Sequence, residues 1–259
     1  MHARFNLNPE RKDWSSYFTA GNRVNQENEA IVKADLEKFK NADGVLQASE
    51  IIDSWFPKIQ ANVFLSHSHR DEKMVIGFAG WLNEEFGIKT FIDSAVWGYA
   101  DKLLKDIDNE YCKNKSGGTY NYDLRNRSTS HVHMMLSTAL ADMIDRCECI
   151  IFISTPNSFK PVDYLNSEGK TESPWIYSEI AMTRMIQQKT PGDHRPKPTL
   201  ESVTAADSIE KRSAELKIEY PLDTFHLTPL SIADLSNWRT KTQTRGAPSL
   251  DALYIMKRK

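Results

Sequence analysis

The apolar positions of this chain change rhythm near residue 61. Val63-Phe64-Leu65 is a short apolar run stopped by Ser66-His67-Ser68-His69. A short run of this kind, bounded by polar residues, predicts a buried strand. Beyond it, Met74, Val75, Phe78, Trp81, Leu82 and Phe86 recur at helical spacing and share one face. Asp71 is the expected N-cap of that helix, and Gly87 its expected C-cap. Ile88 to Ile92 then reads as a second strand, closed by Asp93-Ser94. Strand, helix and strand in this order form a βαβ unit, which predicts a parallel sheet.

The pattern continues less evenly. Residues 94–128 are irregular, and Lys113 to Ser128 reads as a long polar loop. Val132, Met135, Leu136, Leu140, Met143 and Ile144 predict a helix over Ser130–Arg146. Cys149 to Ser154 is continuously apolar up to its last residue, as expected of a central parallel strand. Pro174 opens a helix running to about Gln188. The stretch 189–215 reads as a loop followed by an exposed helix around Asp207–Leu216, with no apolar fourth strand. Lys217–Tyr220 and Phe225–Leu227 are short strand candidates, and Ile232–Trp238 and Leu250–Met256 short helix candidates. Upstream, residues 1–25 are polar with scattered aromatics. Helices are expected at Ala30–Phe39 and Leu46–Ile59, the second ended or bent by Pro57. The division that follows is an N-terminal helical extension (1–60), an α/β domain (61–240) and a helical tail (241–259).

Composition narrows the class. The chain has 259 residues, with 33 Lys+Arg against 35 Asp+Glu, a net charge of −2. That near-balance gives no electrostatic footprint for nucleic acid or an anionic membrane. No apolar run approaches the ~20 residues of a membrane span. The first residues, Met1-His2-Ala3-Arg4-Phe5-Asn6, lack the apolar core of a signal peptide. Three cysteines are too few and too odd for a disulfide framework. The expected setting is cytoplasmic.

Three constellations could carry chemistry. His67, His69 and Asp71 spell His-x-His-x-Asp, the opening metal motif of zinc metallohydrolases. The next position is Glu72 where that motif needs a histidine, and no later segment clearly supplies the other ligands. His131, His133, Cys147 and Cys149 hold zinc-ligand residue types at a spacing that fits no common structural site. On the helix opened by Pro174, Trp175 and Glu179 stand four apart on one face. A carboxylate beside an indole suits glycosidic chemistry: it can stabilise an oxocarbenium-like centre while the indole stacks on a flat ring.

Taken together, the segments Val63-Phe64-Leu65-Ser66-His67-Ser68 with Asp71, Phe91-Ile92-Asp93-Ser94, Ile153-Ser154 with Pro156 and Ser158, and Trp175 with Glu179 resemble a TIR (Toll/interleukin-1 receptor) domain. The likeness covers about 61–235. Phe91-Ile92-Asp93-Ser94 matches the start of the family's BB loop. With Trp97-Gly98-Tyr99-Ala100-Asp101 it is also similar to the TIR-like proteins of bacterial Thoeris anti-phage systems. The insertion 102–128 is longer than a typical BB region.

The resemblance implies a flavodoxin-like open parallel sheet flanked by helices. It implies an NAD⁺ hydrolase or cyclase that breaks the nicotinamide–ribose bond, with Glu179 as the catalytic residue. Phe64, Ser66, His67, Asp93, Ser94, Trp97 and Trp175 are the implied substrate contacts. NAD⁺ is then substrate, and neither a cofactor nor a metal is expected. Self-association into a homo-oligomer is implied, as is a downstream effector reached through an ADP-ribose-derived signal. A non-enzymatic scaffold that recruits partner TIR domains is the alternative. The zinc hydrolase built on His67, His69 and Asp71 is a third.

Overall fold

The structure is a computed structural model that describes residues 1–10, 12–29, 36–43, 45–56, 59–114, 118–163, 168–195 and 219–257. Its strands are β1 (Ala3–Leu7), β2 (Val63–Ser66), β3 (Thr90–Ile92), β4 (Cys149–Ile153), β5 (Lys160–Asp163), β6 (Glu168–Thr171), β7 (Tyr220–Asp223) and β8 (Thr228–Leu230). Its helices are α1 (Phe18–Glu29), α2 (Ala48–Trp55), α3 (Glu72–Phe86), α4 (Ser94–Tyr111), α5 (Tyr122–Arg146), α6 (Pro174–Met185), α7 (Pro191–His194), α8 (Ile232–Lys241) and α9 (Ser249–Lys257). A five-stranded sheet runs β3-β2-β4-β1-β8, every neighbouring pair parallel. Helices cover both faces, so the chain is α/β with an open, flavodoxin-like sheet. A small antiparallel sheet, β5-β6-β7, stands beside it.

The side-chain alternation of a strand divides the core. Val63 and Leu65 of β2, with Phe5 and Leu7 of β1 and Ile151 of β4, face α3, α8 and α9. Phe64 and Ile150 face α2, α4 and α5 on the other side. Phe152, on that same side of β4, meets Ile176 and Ile180 of α6. β2, α3, β3 and β4 lie where the apolar pattern placed them. Gly87 closes α3 at φ 68°, a left-handed turn that glycine adopts without steric cost. Asp71 stands at the N-cap position of α3, but its side chain makes no capping bond.

The sequence reading needs correction at three places. First, residues 1–60 are not a helical extension outside the sheet. Ala3–Leu7 is an inner strand, in register with Cys149–Ile153 on one side and with Thr228–Leu230 on the other. In the flavodoxin-like order 2-1-3-4-5, β3-β2-β4 supply the first three places. The fourth, for which no apolar segment stands after Gln188, is taken by β1 from the start of the chain. Second, the stretch 94–128, read as irregular with a long loop over Lys113–Ser128, is largely helical: α4 begins at Ser94, and α5 begins at Tyr122, eight residues before the expected start. Asn121 accepts a hydrogen bond from the Leu124 amide, the N-cap bond that starts α5 inside a polar stretch. Third, the two short strands near the C-terminus are Tyr220–Asp223 and Thr228–Leu230, each a few residues later than expected. The helix expected at Ala30–Phe39 falls largely outside the described residues, with a short 3₁₀ turn at Leu36–Phe39. The helix around Asp207–Leu216 and the break at Pro57 also lie outside them. The helical tail is present as α9. Among the described residues no helix is long and apolar enough to cross a membrane.

The chain leaving β1 is pressed onto α3 through glycines. A Cβ added to Gly21 in α1 would lie 1.8 Å from the Ile76 carbonyl oxygen, and one on Gly80 in α3 would lie 2.1 Å from the Tyr17 carbonyl oxygen. Backbone meets backbone here, so no side chain can move aside. Gly21→Ala or Gly80→Ala is expected to cost about 1–3 kcal/mol, or roughly 2–4 °C in melting temperature per kcal/mol. In Gly192→Ala the new Cβ comes no closer than 3.8 Å to Thr190 Oγ1, so that variant should melt like wild type. Thermal melts of the three variants check this.

Candidate active site

Strand alternation and the parallel order bring one polar cluster together. Ser66 ends β2 on the same face as Phe64, the face that α6 covers. Its Oγ donates to Glu179 Oε2 at 2.6 Å, across 113 positions of sequence. α6 is started by Ser173, whose side chain accepts from the Ile176 amide, with Pro174 in the first turn. That start points Glu179, one turn and a half on, at the carboxyl end of β2. His67 follows Ser66, and Asp93 follows β3. His67 Nδ1 and Asp93 Oδ1 stand 2.5 Å apart, an ion-pair contact without the alignment of a hydrogen bond. In an open parallel sheet, the carboxyl ends of the strands are where ligands bind.

All four side chains are buried: Ser66 and Glu179 are 0% exposed, Asp93 3% and His67 4%. Among the described residues Glu179 Oε1, His67 Nε2 and Ser94 Oγ have no hydrogen-bond partner. Buried polar atoms are nearly always paired, so three unpaired ones brought together from distant parts of the sequence call for an explanation. Burial pushes the Glu179 carboxyl well above its ordinary range, and the nearby charge of Asp93 pushes it further. The Ser66 hydrogen bond opposes this but does not reverse it. For His67 burial opposes protonation, yet Asp93, with Glu72 and Asp71 behind it, outweighs burial and raises the imidazole above its ordinary value. The resulting arrangement sets a carboxyl pushed toward its neutral form beside an imidazole pushed toward its charged form.

The other candidates are placed as follows. Phe64, expected to contact substrate, is wholly buried in the core with its ring 5.3 Å from that of Phe91. Its position two residues before Ser66 puts it beneath the cluster, so it supports the site without lining it. Ser94 is half-buried at the start of α4, next to Asp93. Trp97 lies in the first turns of α4, and its side chain is outside the described residues. Trp175 is half-buried and packs among the residues of α2, α4 and α5, with the His133 ring edge-on at 5.4 Å.

The metal constellations do not assemble. His67 is engaged with Asp93, while Asp71 accepts from Thr155 Oγ1 and from Asn157 Nδ2 at 2.7 Å. Among the described residues no group of three or more His, Cys, Asp or Glu side chains could hold a metal ion. Cys147 and Cys149 are buried free thiols, and burial pushes the Cys147 thiol up to about 12.

The Asp71–Thr155–Asn157 tie joins the loop after β2 to the loop after β4. The sequence reading missed it. Its signal is the polar run Ser154-Thr155-Pro156-Asn157 directly after an apolar strand. Two cavities, of about 170 and 320 Å³, lie elsewhere in the fold and include none of the four clustered side chains. Compared with known proteins, the chain matches no family model, no curated protein and no solved structure.

A buried carboxyl with a raised pKa makes stability depend on pH. Below its ordinary value of 4.5 Glu179 is protonated whether folded or unfolded and costs nothing. As pH rises above that value the unfolded chain releases the proton first, so folding loses stability. Glu179→Gln holds the neutral form at every pH. Its melting temperature should match wild type near pH 4 and exceed it by several degrees at pH 7–8. Melts across that range check the sign, and a variant less stable at pH 8 than wild type would contradict it.

Proposed function

We propose that the chain is a TIR-like NAD⁺-consuming enzyme that breaks the nicotinamide–ribose bond. The observation that carries the proposal is the Ser66–Glu179 hydrogen bond, made in the same buried cluster as His67 and Asp93. Four residues selected by resemblance from three separate segments meet at the carboxyl ends of β2 and β3.

The chemistry follows from the charges. In NAD⁺ the nicotinamide ring is cationic, so it leaves as a neutral molecule with the bonding electron pair and needs no general acid. Positive charge then gathers on the ribose, and an ionised Glu179 opposite that centre lowers the barrier. The raised pKa does not block this role. A pyridinium entering beside Glu179 favours the carboxylate, so binding expels the proton. Ser66, donating to Oε2, fixes the carboxylate in one orientation. His67 balances the charge of Asp93, so that the incoming cation interacts chiefly with Glu179. Water or a ribose hydroxyl of the substrate attacks the anomeric carbon, its proton passing to Glu179. Water gives ADP-ribose; the internal hydroxyl gives a cyclic product when water is excluded.

Trp175 and Trp97 are proposed to hold the flat rings, with Ser94 on the wall beside Asp93. Self-association, an effector that reads the nucleotide product, a role in bacterial anti-phage defence and a cytoplasmic setting are proposed on the resemblance alone. One observation favours a second reading. Glu179 is fully buried, so the cleft must open before substrate can reach it. A scaffold that recruits other TIR domains would need no such opening.

The test is to incubate concentrated and dilute protein with NAD⁺ and to resolve products by liquid chromatography and mass spectrometry. Nicotinamide release is expected from wild type and should fall at least about a hundredfold in Glu179→Gln, the scale of losing a key electrostatic group. No release at any concentration favours the scaffold. In the active enzyme kcat/KM should rise with pH through the raised pKa of Glu179. Asp93→Asn removes the like charge and should move that limb to lower pH.

A further inference from the structure

The cavity of about 320 Å³ lies at the other end of the sheet, away from the cluster. It exists because β8 begins late. Thr228 pairs with Phe5, so Ala3 and Arg4 have no strand beside them on that edge. The gap is walled by Gln188 after α6, His226 before β8, and Tyr254 and Lys257 of α9. Its volume falls within the ~300–1,000 Å³ of small-molecule sites.

The charge in this cavity is one-sided. Arg4, half-buried, donates from Nη2 to the Ile186 carbonyl oxygen at 2.9 Å and pairs with no carboxylate among the described residues. Lys257 at the rim is already balanced by its ion pair with Asp234 Oδ2 at 3.0 Å. No Asp or Glu lines the cavity among the described residues. His226 adds no charge of its own. Its Nδ1 accepts from Arg184 Nε at 3.3 Å, which leaves Nε2–H to donate to Thr183 Oγ1 at 2.8 Å. Burial, with Arg184 and Arg4 nearby, lowers its pKa to about 4. The opposite wall is aromatic: the rings of His2 and Tyr254 meet edge-on at 4.7 Å, and Phe5 stacks beyond at 6.4 Å.

We propose that this cavity binds a phosphate-bearing small molecule, with Arg4 as the principal anion contact and the His2–Tyr254 wall taking its organic body. An unpaired guanidinium with free donors matches the oxygens of a phosphate in pairs. A phosphate monoester carries a charge of about −1.5 to −2, and Arg4 is the cation here with no carboxylate of its own among the described residues to meet it. Since Arg4 also holds the carbonyl end of α6, the helix that carries Glu179, an occupant would rest against that helix. The site does not depend on the NAD⁺ reading.

Calorimetric titration tests it, with inorganic phosphate and adenosine monophosphate as separate probes against wild type, Arg4→Gln and Glu179→Gln. Saturable binding in wild type, weakened at least tenfold in Arg4→Gln and unchanged in Glu179→Gln, is the expected result. Tighter binding of the nucleotide identifies an organic phosphate, and equal binding identifies free phosphate. Absence of saturable binding overturns the proposal. So does binding that survives Arg4→Gln, including binding lost only in Glu179→Gln, which would place the probe in the carboxylate cluster. Labelling of wild-type Arg4 with phenylglyoxal, read by peptide mass spectrometry, gives an answer that needs no variant to fold. Bound nucleotide should slow modification of Arg4, and an unchanged rate counts against the site.

Discussion

Every N–H and C=O of a strand buried on both faces must find a partner, because no water reaches it. β4 is such a strand: all five of its residues are wholly buried. β2 satisfies one of its edges, and β1, drawn from the start of the chain, satisfies the other. The rest of the molecule hangs on this second pairing. Among the described residues β8 has no strand neighbour but β1. α1, which follows β1, rests on α3 through bare glycine backbone. Arg4, facing away from Phe5 and Leu7, holds the end of α6. The residues that read as a separate extension are therefore structural to the sheet.

What could be read from the sequence depended on where apolar side chains were needed. β2, β3 and β4 are buried on both faces and read as apolar runs. α3 presents a broad apolar face and reads at helical spacing. β1 was hidden because only one of its faces meets the apolar core. Phe5 and Leu7 do so, while Arg4 and Asn6 are half-buried polar residues on the other face, and five residues of that kind resemble a tail. The first turns of α5 were hidden for a similar reason. They are largely exposed, with Tyr122 and Leu124 facing out, so no buried apolar stripe marks them, and Asn121 signals the start. At the candidate site the residue types were legible and the depth was not. Ser66, His67, Asp93 and Glu179 are polar residues next to strand ends or on a helix face. Their complete burial follows from what packs over them, which no local pattern records.

That depth changes what the cluster is. A carboxyl at the surface is a charge; Glu179, sealed beside Asp93, is pushed toward its neutral form by burial and by the charge next to it. The fold bears a cost for holding three polar atoms there without partners. Groups kept in this state are common where a protein reserves them for a ligand.

The β1–β4 pairing also governs how the chain can reach this structure. β1 emerges first, yet the strand it must meet begins at Cys149, and its second neighbour begins at Thr228. Through most of synthesis it has nothing to pair with. β2, α3 and β3, adjacent in sequence, can associate early, and the sheet closes only when the chain's beginning returns between two late strands. Pairings so distant slow folding, and they leave strand edges open to other copies of the chain meanwhile. The alternation that makes β1 hard to read would serve it well during that wait, since a short strand bearing Arg4 and Asn6 is a poor template for aggregation.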